Sequence, residues 1–166
     1  MTLAARVGPG AIGLDPARFA ADAPDWLQTS ESVPVSVGNP HIVVFTDDLS
    51  DEALHRMGPF LATHPAITDG ANVQLAHVND GRVRIRIWER GVGPTTASGT
   101  SASAVVVAAV HTGRLDPGEH EVQMDGGVFN VLVDSSLEVV LRGPVEEIAE
   151  GHLTGTFLVR LGSEDK

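Results

Sequence analysis

Cysteine is absent from all 166 residues. That excludes disulfides, thiolate metal sites and any chemistry run on a thiolate nucleophile or base. Positive charge is also scarce, with 11 Lys and Arg against 22 Asp and Glu and a net charge of −11. A balance this acidic argues against nucleic acid and against anionic membrane surfaces as partners. No apolar run approaches the roughly 18 residues of a membrane span. The opening MTLAARVGPGAIG lacks the long apolar stretch of an export signal, so a cytoplasmic location is expected. The seven histidines, at 41, 55, 64, 77, 111, 120 and 152, are scattered. None sits in an HxH or HExxH arrangement, so no metal site is expected, and solvated or capping roles are expected for most of them.

The length suits one domain with a real core, and 42% hydrophobic with 20% charged residues is ordinary for a soluble globular chain. There are no internal repeats and no low-complexity tracts. Residues 33–37 and HIVVFT (41–46) read as short strands joined by the turn GNPH. NVQLAHV (72–78) and RVRIRIW (82–88) alternate with period two on either side of Asn79-Asp80-Gly81, a strong hairpin signal. HEVQMD and VFNVLVD form a second hairpin through Gly126-Gly127, which LEVVLRG (137–143) extends as a meander. On 82–88, Val83, Ile85 and Ile87 are expected inward, with Arg82, Arg84 and Arg86 in water.

Helices are fewer. Asp15-Pro16-Ala17 opens a short one. Ser50, with an acidic first turn, caps another reaching about His64, though Pro59 must end or kink it. The third, from about Gly99 to His111, is apolar all round, and Gly113 follows as its C-cap. A helix with no polar face must be surrounded. The expected fold is therefore α+β, an antiparallel barrel-like sheet wrapped around this central apolar helix. The SEDK end is expected to be frayed.

The segment before that helix, WERGVGPTTASGT, packs glycines, hydroxyls and a charged pair together. Unpaired N–H groups at a helix start donate to a capping hydroxyl, from Ser98 or Thr100, or alternatively to a ligand carboxylate or phosphate. Glycine at 99 lets a ligand approach the backbone. Taken singly, these patterns are ordinary: a cap, a surface Glu89-Arg90 pair, a GNPH turn.

In order and spacing they resemble the diaminopimelate epimerase family. VSVGNPH (35–41), Gly70-Ala71-Asn72-Val73, ERGVG (89–93) with TTASGTSASA, MDGGVFNV (124–131) and LRGPVEEIAEGHL (141–153) carry the likeness. The resemblance covers the chain from about residue 33 onward. It implies one half of that family's two-half fold, with residues 1–32 as the end of the other half and 33–166 as the C-terminal-like domain. It also implies cofactor-independent inversion of an amino-acid α-carbon, on the route to lysine and peptidoglycan.

Carried over by that likeness, Asn39 and Asn72 bind or orient the distal amino-acid end of a diaminopimelate-like ligand. Glu89 and Arg90 contact its polar groups, and Gly99 and Thr100 donate to its α-carboxylate. Ser98, Glu89 and His41 fall at or beside the catalytic positions, with His41 and Glu89 as proton relays. Where the family has its catalytic cysteine in ACGT, this chain has Ser98. Pro94 replaces an expected Glu, and Ser101 an expected Gly. A serine hydroxyl is a far weaker acid than a thiol and needs a strong adjacent base.

The expectation is thus an epimerase-like domain that is inactive alone. It would be completed by an N-terminal-half polypeptide or by self-association into a dimer. The alternatives are a non-catalytic ligand-binding or interaction module, or a cofactor-independent isomerase or dehydratase of the wider superfamily.

Overall fold

The computed structural model describes residues 2–28 and 30–161. The expected fraying of SEDK falls outside that range. The strands are β1 (Thr2–Ala4), β2 (Arg6–Val7), β3 (Glu31–Ser36), β4 (Pro40–Phe45), β5 (Asn72–Asn79), β6 (Arg82–Glu89), β7 (Gly93–Thr95), β8 (Gly118–Met124), β9 (Gly127–Val133) and β10 (Glu138–Arg142). The helices are α1 (Pro16–Asp22), α2 (Asp25–Gln28), α3 (Asp51–Ala62), α4 (Gly99–His111) and α5 (Gly155–Leu161).

All ten strands join one sheet, in the order β1-β10-β9-β8-β6-β5-β4-β3-β2 with β7 on β6. Its two outermost strands, β1 and β2, are separated in the chain by Ala5 alone, whose N–H donates to Leu137 O. The sheet's edges are thereby drawn together, and the layer curls around α4 as the all-apolar helix requires. Ser101 through Ala109 are buried there against Val35, Val43, Ile85, Val122, Val131 and others. The sheet is not purely antiparallel as expected. The pairs β4–β5 and β6–β8 run parallel, because α3 and α4 lie in those two connections and return the chain to the end where it started.

A second core lies on the outer face. There α3 buries Leu54, Met57 and Leu61 against Ile42, Val44, Val73 and Leu75, with Phe19 and Trp26 from α1 and α2 alongside. Strands β4 and β5 are therefore covered on both faces: Val43, Phe45 and Ala76 go to the α4 side, their neighbours to the α3 side.

Several local signals fold as read. Asp15 Oδ1 accepts from Ala17 N and Arg18 N at the start of α1, and Ser50 Oγ caps α3. The β5–β6 turn places Asp80 and Gly81 at φ 49° and 75°, the two left-handed residues of a tight hairpin. In the next hairpin Met124 pairs with Gly127, so the turn is Asp125-Gly126, one residue earlier than expected.

Other expectations are corrected. Pro59 does not end α3; the helix runs through it to Ala62. The residue before it is Gly58, which has no Cβ to clash with the proline ring, and the buried face on both sides holds the helix on the sheet. Arg86 does not face water. The N-terminus of α3 and the β8–β9 turn cover it, and it reaches Asp51 Oδ1 (2.5 Å), Asp125 Oδ2 (2.8 Å) and Leu49 O (3.1 Å). His41 and His64 are buried rather than solvated. After β10, residues 143–154 have no regular structure and lie exposed.

Candidate functional site

The end of the barrel that carries the site is set by register. His41 pairs with Asn72 across β4 and β5, and Val73 pairs with Trp88 across β5 and β6. The N-terminal ends of β4 and β5 and the C-terminal end of β6 thus lie in a row. Asn39, Asn72, Glu89 and Arg90 are brought together on this rim, and the first turn of α4 lies inside it.

Each residue on the rim is tied to its neighbour. Asn72 Oδ1 accepts from Arg90 N at 3.0 Å. The Arg90 guanidinium donates to the carbonyls of Asp69 and Gly70, so Glu89 and Arg90 are not an ion pair with each other. Glu89 Oε1 accepts from Thr95 Oγ1 at 3.1 Å, across the β6–β7 pair. Gly38, at φ 104°, turns the chain from β3 into β4 and presents Asn39. Asn39 is half-buried and lines a cleft with Arg6, Gly13, Ser36, Thr68 and Asp69. A different cleft, lined by Ser30, Phe45, Asp47, His77 and Arg114, lies at the other ends of β4 and β5 and holds none of the site residues.

Ser98 is the N-cap of α4. Its Oγ accepts from Ser101 N at 3.4 Å and lies 3.4 Å from Thr100 Oγ1. Of the two caps left open by the sequence, Ser98 is the one used. Gly99 has a packing reason of its own. A Cβ there would stand 2.5 Å from Leu141 Cδ2 on β10.

His41 sits beneath the rim with no exposed surface, and burial pushes its imidazole down to about 4. It is neutral at ordinary pH. Its Nε2 lies 3.0 Å from Asn39 Oδ1 and its Nδ1 lies 3.0 Å from Gln74 Nε2, which also donates to Ser101 Oγ at 3.0 Å. Gln74 was not singled out in the sequence, although a signal existed. It is a fully buried amide set between Val73 and Leu75 on β5. Among the described residues no group of three or more His, Asp or Glu could hold a metal ion. No helix among them is long and apolar enough to cross a membrane.

The family model that matches residues 33–148 is that of diaminopimelate epimerase. The diaminopimelate epimerase of Desulforudis audaxviator is 47% identical over 119 residues, 70% of this chain and 42% of that protein. That of Bacillus mycoides is 40% identical over the same share of this chain and 41% of its own. The chain therefore spans about two-fifths of the length of these relatives. Among solved structures, a predicted epimerase from Pseudomonas aeruginosa superposes with a TM-score of 0.56 at 22% identity, covering 89% of this chain and 57% of that one. At that identity the likeness speaks for the fold, a barrel-like sheet around a central helix. With 116 of 166 residues inside the family model, from 33 to 148 inclusive, the chain belongs to the diaminopimelate epimerase family.

Proposed function

We propose that this chain supplies the C-terminal-type wall of a cofactor-independent amino-acid epimerase site in lysine and peptidoglycan precursor synthesis in the cytoplasm, and that residues 1–166 alone do not invert their ligand. One observation carries the reading: the register of β4, β5 and β6 gathers Asn39, Asn72, Glu89 and Arg90 on one rim beside the start of α4. Amides, a carboxylate, a guanidinium and a helix N-terminus are the groups that a zwitterionic amino acid such as diaminopimelate needs. Gly99 and Thr100, at the positive end of the α4 dipole, suit a carboxylate.

Ser98 stands at the position to which the family resemblance assigns a cysteine, and its chemistry differs. Its hydroxyl is engaged as a helix cap, and Glu89, the carboxylate on the rim, accepts a hydrogen bond from Thr95. Removing a proton from an α-carbon requires a base matched to the task, and inversion requires an acid on the opposite face. The residues on this rim approach a ligand from one side, so a companion half or a second copy completes the site.

The second reading, a ligand-binding module without catalysis, is favoured by that same use of Ser98 as a cap. Deuterium exchange at the α-carbon of diaminopimelate in D₂O separates them. The expected result is none for residues 1–166, none for Ser98→Cys alone, and exchange for Ser98→Cys mixed with an N-terminal half from a relative. Exchange by the unmodified chain alone would overturn the proposal; binding without exchange in every mixture would favour the module.

A further inference from the structure

The three nitrogens of one arginine meet three separate parts of the chain. Arg86 donates from Nε to Asp125 Oδ2 at 2.8 Å, and its two terminal nitrogens donate to Asp51 Oδ1 at 2.5 Å and to Leu49 O at 3.1 Å. The first contact is to the β8–β9 turn, and the other two are to the entry and first residue of α3. A guanidinium suits such a junction because its planar fork offers N–H groups on separate edges, whereas a lysine ammonium is a single point of charge.

The β8–β9 turn is held on its other residue as well. Gly126 N donates to Thr96 O at 2.7 Å. The approach leaves no room for a side chain: a Cβ on Gly126 would stand 2.8 Å from Thr96 Oγ1, 3.0 Å from Thr96 O and 3.1 Å from Ala97 Cβ. Thr96 and Ala97 are the residues between the end of β7 and Ser98, the N-cap of α4, and they belong to no strand or helix. Because Ile87 pairs with Thr95, the chain leaves β7 level with Arg86. The cap itself is a weak anchor, since Ser98 Oγ accepts from Ser101 N at 3.4 Å, longer than the usual range. The position of the segment is therefore set from outside α4.

We propose that Arg86 is a positioning residue for the start of α4. By holding Asp125 it sets the β8–β9 turn, the turn holds Thr96 through Gly126 N, and Thr96 sets where the side chain at 98 stands. The guanidinium lies on the α3 side of the sheet, so its effect on α4 runs through this turn. The inference rests on the proposed ligand site only for the use made of that placement, not for the placement itself.

The absence of cysteine supplies the test. Ser98→Cys gives the chain a single thiol at the N-cap of α4. The pH dependence of its alkylation by iodoacetamide reports how well the sulfur is held at the helix start, where a thiol is expected to titrate below its ordinary value of about 8.5. Adding Arg86→Lys is expected to raise that value by about half a unit or more, although the positive charge is kept. Adding Asp125→Ala instead is expected to raise it too, although losing a nearby negative charge would by itself lower it. Arg114→Lys, which disturbs the ion pair with Glu31 beyond the opposite end of α4, should leave it unmoved.

An unmoved thiol in Arg86→Lys overturns the proposal, as does a fall or no change in Asp125→Ala. An equal rise in Arg114→Lys would mean general loosening and also overturns it, as does an ordinary thiol in Ser98→Cys alone. Should Arg86→Lys fail to fold, Asp125→Ala decides by the sign of its shift. Deuterium exchange at the α-carbon of diaminopimelate, run with the companion half, reads the use of the placement separately. In the Ser98→Cys background, Arg86→Lys is expected to lower kcat by about tenfold or more with KM little changed; an unchanged kcat would overturn that use. Exchange absent from Ser98→Cys itself would count against the ligand reading, while the thiol titration still decides the placement.

Discussion

The side chain of Leu141 on β10 occupies the space beside Gly99 at the first turn of α4, so that a methyl group on Gly99 would lie 2.5 Å from Leu141 Cδ2. Gly99 also carries the carbonyl that accepts from Ser103 Oγ at 2.9 Å. The glycine is thus fixed by packing before any ligand arrives. Gly99→Ala is expected to lower stability by about 1–3 kcal/mol, the usual range for an overpacked contact. Leu141→Ala in the same chain should recover most of that loss, seen as a positive coupling in urea unfolding. Additive losses would show that the glycine is needed for another reason.

Arg86 links three segments through Leu49 O, Asp51 and Asp125. Asp51 is 79% exposed at its side chain while Arg86 is 18% exposed, so the ion pair itself is screened and worth under about 1 kcal/mol. Arg86→Met should cost more than Asp51→Asn, about 1–2 kcal/mol, because it also leaves a partly buried carbonyl and Asp125 without their donor. Equal losses from the two changes, or a loss abolished by salt, would contradict this.

Stability should depend on pH through His41. Its folded value is lowered to about 4 from 6.5, so the unfolded chain binds the proton first as pH falls. Its contribution is fully present above pH 6.5 and is lost progressively as pH falls toward 4. The full change for such a group is on the order of 3 kcal/mol. Asp48, Asp51 and Asp134 are held below their ordinary 3.8 by hydrogen bonds from Ser50, Arg86 and Ser136. Their contributions are lost only below that value, in a separate window. Denaturant midpoints measured from pH 7.5 to about 2 check both; a flat profile between 6.5 and 4.5 would exclude a buried neutral His41.

Exposed apolar side chains flank the rim at Val92 (71%) and Leu141 (37%). Val92 stands in the β6–β7 turn, and Leu141 touches the start of α4. Exposed apolar groups clustered around a one-sided site are usually covered. The chain is expected to self-associate or to bind its companion half, and sedimentation at high micromolar concentration should show more than monomer. Val92→Asp should weaken that association without changing the circular dichroism spectrum. A stable monomer in both cases would reject this.

The sequence by itself determined the longer strands, the helices α1, α3 and α4, and the family. Period-two alternation marked β5, β6, β9 and β10; on the last three it follows one buried face, whereas β5 is covered on both. The Asp80-Gly81 turn was legible because only such residues accept two positive φ angles cheaply. The all-apolar α4 required a surrounding sheet. The site residues were legible only through their spacing in motifs, and each alone read as a cap, a turn or a surface charge. Tertiary structure decided what no local pattern encodes. The parallel pairings, the burial of Arg86 under α3 and the continuation of α3 through Pro59 all depend on what packs from elsewhere in the chain. Gln74 is the clearest case. Its partners His41 and Ser101 lie 33 and 27 residues away in sequence, and the strength of a buried hydrogen bond depends on both partners arriving without water, which only the folded sheet arranges.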